Sequence, residues 1–393
     1  MKKVLLVGAN FRNKGSAAML ISVVKTLKRF IPDGAFVLAS GYPRFDYAQA
    51  RKYGLEVFEY RFATKSALKS MLSMIPRLLN TDIIIDLSGF LFSDKGRKAG
   101  ILSRGLTILM CKLFRKPVIL FPQSFGPFNF KFTRIFCKIC LQRADVVVAR
   151  GKVSERYLYG LGIRKNVKVY SDSAFLLEPA SQKRLNEKIL KKENIEKREG
   201  ALKIGIAVNL RIYERTKGAE TENHYVNVMA QLSDFLIENL NSELVFVPYE
   251  FPYKSAAMRY DDRFVARMVY TKAKNRHRIK LIENEYDPQE LKALTQIFDL
   301  FIGCRFHSIV AATSMCVPTI AIGWSHKYLE TMELLGQAKY VCDYRDLSLN
   351  RLTNLVNDAL YRRKEIKKEL EAKLKEVENS AFESAKLVAK MID

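Results

Sequence analysis

The stretch Phe298-Asp299-Leu300-Phe301-Ile302-Gly303-Cys304-Arg305-Phe306-His307-Ser308, continued by IVAATSMCVPTIAIGWSHK to Lys327, carries the strongest fold signal in the chain. An apolar run closes on a glycine, a short polar turn follows, then a small-residue helix, and a second apolar run starts after Pro318. The order is strand, loop, helix, strand. It is half of a doubly wound α/β unit, in which ligands gather at the carboxyl ends of the strands. Arg305, His307 and Ser308 fall where the loop meets the helix N-terminus, a place suited to an anion. Arg305 offers a fixed fork for a carboxylate or phosphate, and His307 can carry a proton near neutral pH. The segment is therefore suited to acid–base chemistry on an anionic substrate.

Outward from this segment the same alternation recurs. VLLVGA, a helix from about Ser16 to Phe30, AFVLAS, EVFEY, DIIIDLS, PVILFPQ, DVVVAR and VKVYSD fill the first half. KIGIAVNL at 203–210, ELVFVPYE, RIKLIE, DLFIGCR and TIAIGW repeat the pattern in the second. Such alternation predicts βαβ units and mostly parallel sheets. Two Rossmann-like domains are expected, at 1–180 and 201–361. The dense mixed charge of 181–200 reads as a linker or a solvated helix, and 362–393 as a Lys/Glu-rich helix, which resemblance to two-Rossmann-domain enzymes implies crosses back to the first domain.

Composition narrows the class. With 393 residues, 48% hydrophobic and 27% charged, the chain suits two globular domains. The six cysteines, Cys111, Cys137, Cys140, Cys304, Cys316 and Cys342, have no paired metal spacing, so free thiols in a reducing cytoplasm are expected. The opening MKKVLLVGANF has too short an apolar run for a signal peptide and reads as a first strand. No apolar run is long enough to span a bilayer.

A net charge of +25, from 66 basic and 41 acidic residues, points to nucleic acid, anionic lipid or an anionic substrate. No zinc-finger, RRM or KH signature supports nucleic acid. Residues 61–79, 97–115 and 131–143 mix Lys and Arg with Leu, Ile, Met and Phe, as basic amphipathic helices at membrane interfaces do. Each alone reads equally well as a helix packed on a sheet with its charges solvated. Three in the N-terminal half favour a peripheral membrane face toward anionic lipid.

Other residues leave two readings each. Gly8 to Ser16 follows a strand and precedes a helix, so it suits backbone approach to an anion or to sugar hydroxyls, or else a tight turn with Ser16 as N-cap. Arg305 either grips a ligand or pairs with a carboxylate such as Asp299, and His307 either moves protons or caps its helix. Lys327 is a cation for a phosphate or a solvated loop lysine, and His326 beside it is a second-rank candidate. Arg150 ends DVVVAR and either binds a ligand or closes a local turn. Asp82 and Asp86 bracket a strand, but no DxD motif or histidine cluster accompanies them and no metal is assigned.

The 298–327 segment resembles the polysaccharide pyruvyl transferase family, which carries G-x-R-x-H-S, a small-residue helix, V-P, an apolar strand and a Lys. Those positions are Gly303, Arg305, His307, Ser308, Val317, Pro318 and Lys327. Four further regions are similar to the family in order: VGANFRNKGSAAML, DIIIDLSGFLFSD at 82–94, KPVILFPQSFGPF at 116–128, and ADVVVARGKVSERYLYGLGI at 144–163 followed by VYSDSAFLL. The chain departs from the pattern at Ser16 and Ala17, where Asp and Glu are usual, at Ser88 in place of a first Gly, and at Gly151 in place of Asp.

The resemblance implies two Rossmann-like domains facing a cleft, the GT-B architecture. It implies transfer of a pyruvyl group from phosphoenolpyruvate to a sugar of a cell-surface polysaccharide or its lipid-linked precursor, forming a pyruvate ketal, with no cofactor beyond that donor. Under it His307 is the catalytic acid–base, and Arg150, Arg305, Ser308 and Lys327 bind the donor. Asn13, Gly15, Ser16, Gln123 and Ser124 bind the glycan acceptor. The expected setting is cytoplasmic, peripheral on the inner face of the plasma membrane. The alternative enzyme is a GT-B glycosyltransferase with a nucleotide-sugar donor. The non-enzymatic alternative is a membrane-surface binding protein.

Overall fold

The aliphatic runs pair into two all-parallel sheets. The structure is a computed structural model that describes residues 1–60, 67–196, 198–216, 223–251 and 261–392, with the backbone alone at 67–71. The first sheet holds β1 (Lys3–Val7), β2 (Ala35–Ser40), β3 (Leu55–Glu59), β4 (Ile83–Asp86), β5 (Val118–Gln123), β6 (Val146–Ala149) and β7 (Val167–Val169). The second holds β8 (Leu202–Ala207), β9 (Ser242–Phe246), β10 (Ile279–Leu281), β11 (Leu300–Gly303), β12 (Thr319–Gly323) and β13 (Val341–Asp343). Their spatial orders are 3-2-1-4-5-6-7 and 10-9-8-11-12-13. Both orders reverse direction once, between β1 and β4 and between β8 and β11. Such switch points are where doubly wound sheets take ligands. At the first, Val7 lies opposite Asp86; at the second, Ala207 lies opposite Gly303, two residues before Arg305.

The chain divides into two units, Met1–Arg12 with Ser16–Leu177 and Val377–Asp393, and Asn13–Gly15 with Glu178–Glu376. Three expectations need correction. The first long helix, expected from about Ser16 to Phe30, runs Lys14–Leu27, and the Ser16 hydroxyl accepts from Asn10 N at 3.0 Å rather than capping the helix. Residues 181–200 are not a linker. They form a short α-helix and a π-helical turn whose Leu185 and Ile189, four apart, bury into the second unit's core with Ile195. Surface charge had masked that apolar stripe. Strand β13 lies in no run singled out from the sequence. The helix Arg363–Ile392 buries Ile366, Leu370, Leu374, Val377, Ala381, Ala385, Val388 and Ile392 along one face, and from Val377 it counts with the first unit.

Among the described residues no helix is long and apolar enough to cross a membrane. The 61–79 segment is described only from residue 67, as the helix Ala67–Leu79, so its first six residues lie outside the described ones.

Candidate functional site

In the second unit the chain leaves β11 through a turn that is fixed on both sides. Cys304 N donates to Ala207 O at 2.8 Å, while the Cys304 carbonyl accepts from Asn209 Nδ2 at 2.6 Å and from the Tyr328 hydroxyl at 3.0 Å. Arg305 is extended and caps the helix Phe306–Thr313. Ser308 donates its hydroxyl to the Arg305 carbonyl at 2.7 Å, closing the first turn. Expected at the donor, the Ser308 side chain is thus spent on the helix start.

The Arg305 guanidinium meets two acids. Its Nε lies 3.0 Å from both oxygens of Asp262, its Nη2 2.5 Å from Asp262 Oδ1, and its Nη1 2.5 Å from Glu250 Oε2. Burial works against the arginine's charge, but the Asp262 and Glu250 carboxylates overcome it and hold the pKa above the usual guanidinium value. Asp262 also accepts from the backbone N–H groups of Leu210, Tyr249 and Glu250. The pairing with Asp299 weighed from sequence does not form, because Asp299 accepts from Lys203 N at 2.8 Å. Three of the five guanidinium N–H bonds point at carboxylates, so two are left to reach a ligand.

His307 follows Phe306, edge-on to its ring at 5.0 Å. Gly15 presses against the imidazole: a Cβ there would lie 1.9 Å from His307 Nδ1. Only a glycine backbone can pass this close. Its neighbours are tied to the same unit. Asn13 makes an antiparallel bridge to Glu250, and Lys14 Nζ pairs with Glu285 at 2.5 Å. Asn13 and Gly15 therefore join His307 and the Glu250–Arg305 pair, whereas Ser16, Gln123 and Ser124 belong to the first unit.

Lys327 begins the helix Lys327–Leu334, with Nζ 4.8, 5.0 and 5.5 Å from the ring centres of Trp324, Phe306 and Tyr328. Arg215 stacks on Trp324 at 4.5 Å. Cations over aromatic faces are held by the ring quadrupole as well as by charge. His326 Nε2 sits 3.7 Å from the buried Glu330 carboxylate.

In the first unit Arg150, Gln123 and Ser124 come together at the ends of β5 and β6. Arg150 N donates to Gln123 O at 3.0 Å, and Nη2 reaches Asp172 Oδ2 at 2.9 Å and Pro122 O at 3.1 Å. The Arg150 side chain is only 1% exposed. Next to them, Asp86 accepts from Ser88 N at 2.7 Å and faces Arg104 Nε at 3.3 Å. Gly8, at φ +85°, makes the close turn beside Ser88. The Gln123 amide and the hydroxyls of Ser88 and Ser124 are buried and make no hydrogen bond to the described residues. A buried, uncompensated polar group costs about 1–3 kcal/mol, so this strand-end cluster suits a hydroxyl-rich partner. Asp82 caps the start of β1, accepting from Lys3 N at 2.6 Å.

Reading by sequence missed Glu250, Asp262, Trp324 and Arg215. Trp324, the one tryptophan of the chain, could have been found as the residue two before His326 in the quoted stretch. Asp262 gave no signal, since it lies 43 positions from its arginine.

A family model described as polysaccharide pyruvyl transferase matches residues 13–326. The amylovoran biosynthesis protein AmsJ of Erwinia amylovora is 24% identical over 266 residues, 67% of this chain and 62% of that protein, so the match spans less than two thirds of the relative's length. Among solved structures, Anabaena HepE in complex with UDP and glucose superposes with a TM-score of 0.64 at 12% identity, covering 100% of this chain and 99% of that one. UDP-GlcNAc 2-epimerase from Neisseria meningitidis bound to UDP-GlcNAc gives 0.65 at 11% identity, with 100% and 99% coverage. At such identities these likenesses establish the fold alone.

Proposed function

Since the chain belongs to the polysaccharide pyruvyl transferase family, we propose that it transfers a pyruvyl group from phosphoenolpyruvate to a sugar of a cell-surface glycan or its lipid-linked precursor. The observation that carries this is the family match across 13–326, within which His307 stands at a strand-end turn locked by Asn209 and Tyr328. His307 gives a proton to the donor's methylene carbon, making it a methyl group and C2 electrophilic. One sugar hydroxyl bonds to C2 and surrenders its proton to the imidazole. The C2–O bond to phosphate breaks, phosphate departs with the bonding pair, and the second hydroxyl closes the ketal as its proton passes to the phosphate.

Lys327 and the two uncommitted N–H bonds of Arg305 hold the donor's anionic groups, and Ser308 secures the turn that aims them. Arg150, paired with Asp172, holds the Gln123–Ser124 bend for the acceptor's hydroxyls. Asn13 and Gly15 shape the wall beside His307. The enzyme works on the cytoplasmic side of an anionic membrane, where a lipid-linked acceptor is at hand.

His307→Asn is expected to lower turnover about 10²- to 10⁴-fold, with phosphoenolpyruvate affinity within a few-fold of wild type. Phosphate release under single turnover and a donor titration check it; wild-type turnover sinks the catalytic role. A second reading, a glycosyltransferase with a nucleotide-sugar donor, draws on the UDP and UDP-glucose bound in the HepE structures and on the cation-flanked Trp324. Thermal unfolding with phosphoenolpyruvate and with UDP-sugars separates them, because a ligand at 100 times its Kd adds about 2.7 kcal/mol. A shift with UDP-sugars alone overturns the first reading.

A further inference from the structure

Large apolar side chains are unevenly exposed. Of the fourteen that the described residues expose, eight lie on or beside the helices Ala67–Leu79, Lys98–Leu113 and Lys131–Leu141 of the first unit. All three helices already bury an inner stripe in one core, through Met74 and Leu78, Ile108 and Cys111, and Cys137 and Cys140. Packing on the sheet thus accounts for the inner faces and leaves the outer ones unexplained.

Helix Lys131–Leu141 is the clearest case. Opposite its buried Thr133, Cys137, Cys140 and Leu141 it carries Phe132, Ile135 and Ile139, 46, 50 and 40% exposed, and Phe130 just before it is 64% exposed. Spacings of three and four put the three helical residues on one face. Lys131, Arg134 and Lys138 are exposed on the same helix.

Charge decides what this face meets. Between Asp94 and Asp145 the chain has eleven Lys and Arg and no acid, and between Glu59 and Asp82 again no acid. The two bordering acids are engaged locally, Asp94 by the N–H of Asn129, and Asp145 by the N–H of Val118 and by Lys112. An apolar stripe among cations, with the Asp94 carboxylate at its head held by the N–H groups of Asn129 and Phe130, is the pattern of an interfacial helix. A second copy of the chain would bring the same cations face to face.

We propose that the Phe130–Phe132–Ile135–Ile139 face, flanked by Lys131, Arg134 and Lys138, docks this protein on an anionic lipid surface by inserting its apolar side chains between headgroups. The proposal deepens the reading of a membrane-working enzyme and rests on it for its purpose. It narrows the three basic segments to one inserting helix with two supporting ones.

The test is cosedimentation of the full chain with phosphatidylcholine vesicles, with and without phosphatidylglycerol, across a salt series. Wild type is expected to bind the anionic vesicles and to release them as salt rises. Lys131→Gln/Arg134→Gln/Lys138→Gln should weaken binding about fivefold per residue. Phe132→Ser/Ile135→Ser/Ile139→Ser should weaken it at least tenfold and keep the salt response. Both triples alter exposed residues, so the unfolding temperature and the turnover of a water-soluble acceptor fragment should stay as in wild type. Salt-insensitive binding equal on both vesicles, or wild-type binding by both triples, overturns the proposal. So does a wild-type dimer that the apolar triple turns into a monomer. Wild-type protein that turns over phosphoenolpyruvate yet binds neither vesicle rejects the face alone. Wild-type docking without turnover rejects the enzyme reading instead.

Discussion

Arg150 and Arg305 both follow a parallel strand, both are largely buried, and both were expected to grip an anionic donor, yet they are balanced differently. Arg150 faces one carboxylate, Asp172, and the pair is formally neutral. Arg305 faces two, Asp262 and Glu250, and that cluster carries one excess negative charge. A neutral buried pair is a structural bond with no net charge to offer a ligand. A cluster with excess negative charge repels an anion until another cation joins it, and Lys327 and Arg215 around Trp324 are the cations the second unit offers. Equivalent positions in two similar sheets thus separate into a strut and a charge-tuned platform.

The contrast can be broken by substitution. Arg305→Met strands two buried carboxylates and should cost about 3–5 kcal/mol in urea unfolding, at the upper end of that range. Arg150→Met should cost less within the same range, and adding Asp172→Leu should restore part of the loss, since an apolar pair replaces the buried ion pair while the Ala174 N–H loses its acceptor. The matching double variant Arg305→Met/Asp262→Leu should not recover, because Glu250 stays unpaired and the N–H groups of Leu210, Tyr249 and Glu250 lose their acceptor. Equal recovery in the two doubles would erase the distinction.

A smaller effect sharpens it from the side of His307. Gly15→Ala forces a methyl group into the imidazole and should cost about 1–3 kcal/mol, together with most turnover. Unchanged turnover would show that the imidazole moves aside freely. The gentlest contrast needs no mutation. Burial pushes the Cys304, Cys111 and Cys137 thiols up to about 12 and those of Cys140 and Cys342 up to about 11, so they hold their protons at pH 8. A disulfide reagent at pH 8 should therefore label the half-buried Cys316 of the second unit first and nothing in the first unit until it unfolds.

What could be read from the chain followed from distance along it. Strands β1 to β12 lay in apolar runs, with Arg305 and His307 just after one of them and Lys327 just after the next. Strand β13, Val341–Asp343, shows only Tyr340-Val341-Cys342 between Lys339 and Asp343, whereas the equally short β7 and β10 lay inside longer alternating runs. The helical turns at 182–190 hid Leu185 and Ile189 among Lys and Glu, and charge density outweighed a two-residue apolar spacing. The partners of Arg305 were invisible because Asp262 and Glu250 reach it only after β8, β9 and β11 assemble side by side. Asp299 was nearer in sequence but is already committed to the start of β8.

The helix Arg363–Ile392 sets an order of events in the making of the protein. Its final turns complete the first unit: Ser380 takes the N–H of Ser171 at 3.1 Å, Phe382 lies 5.3 Å from Phe30, and Lys2 reaches the carbonyl of Ile392. A ribosome that has released Leu177 must still deliver every residue up to Val377 before that surface can be covered. At about 5–20 residues per second the half-finished unit waits on the order of 10–40 s, with the groove meant for Ala381, Ala385 and Val388 open. The second unit, whose residues from Glu178 to Glu376 emerge in one run, needs only the Asn13–Gly15 tripeptide already made. The later-translated unit is thus the first that can close, and nascent chains stalled before residue 377 should be the species that chaperones hold.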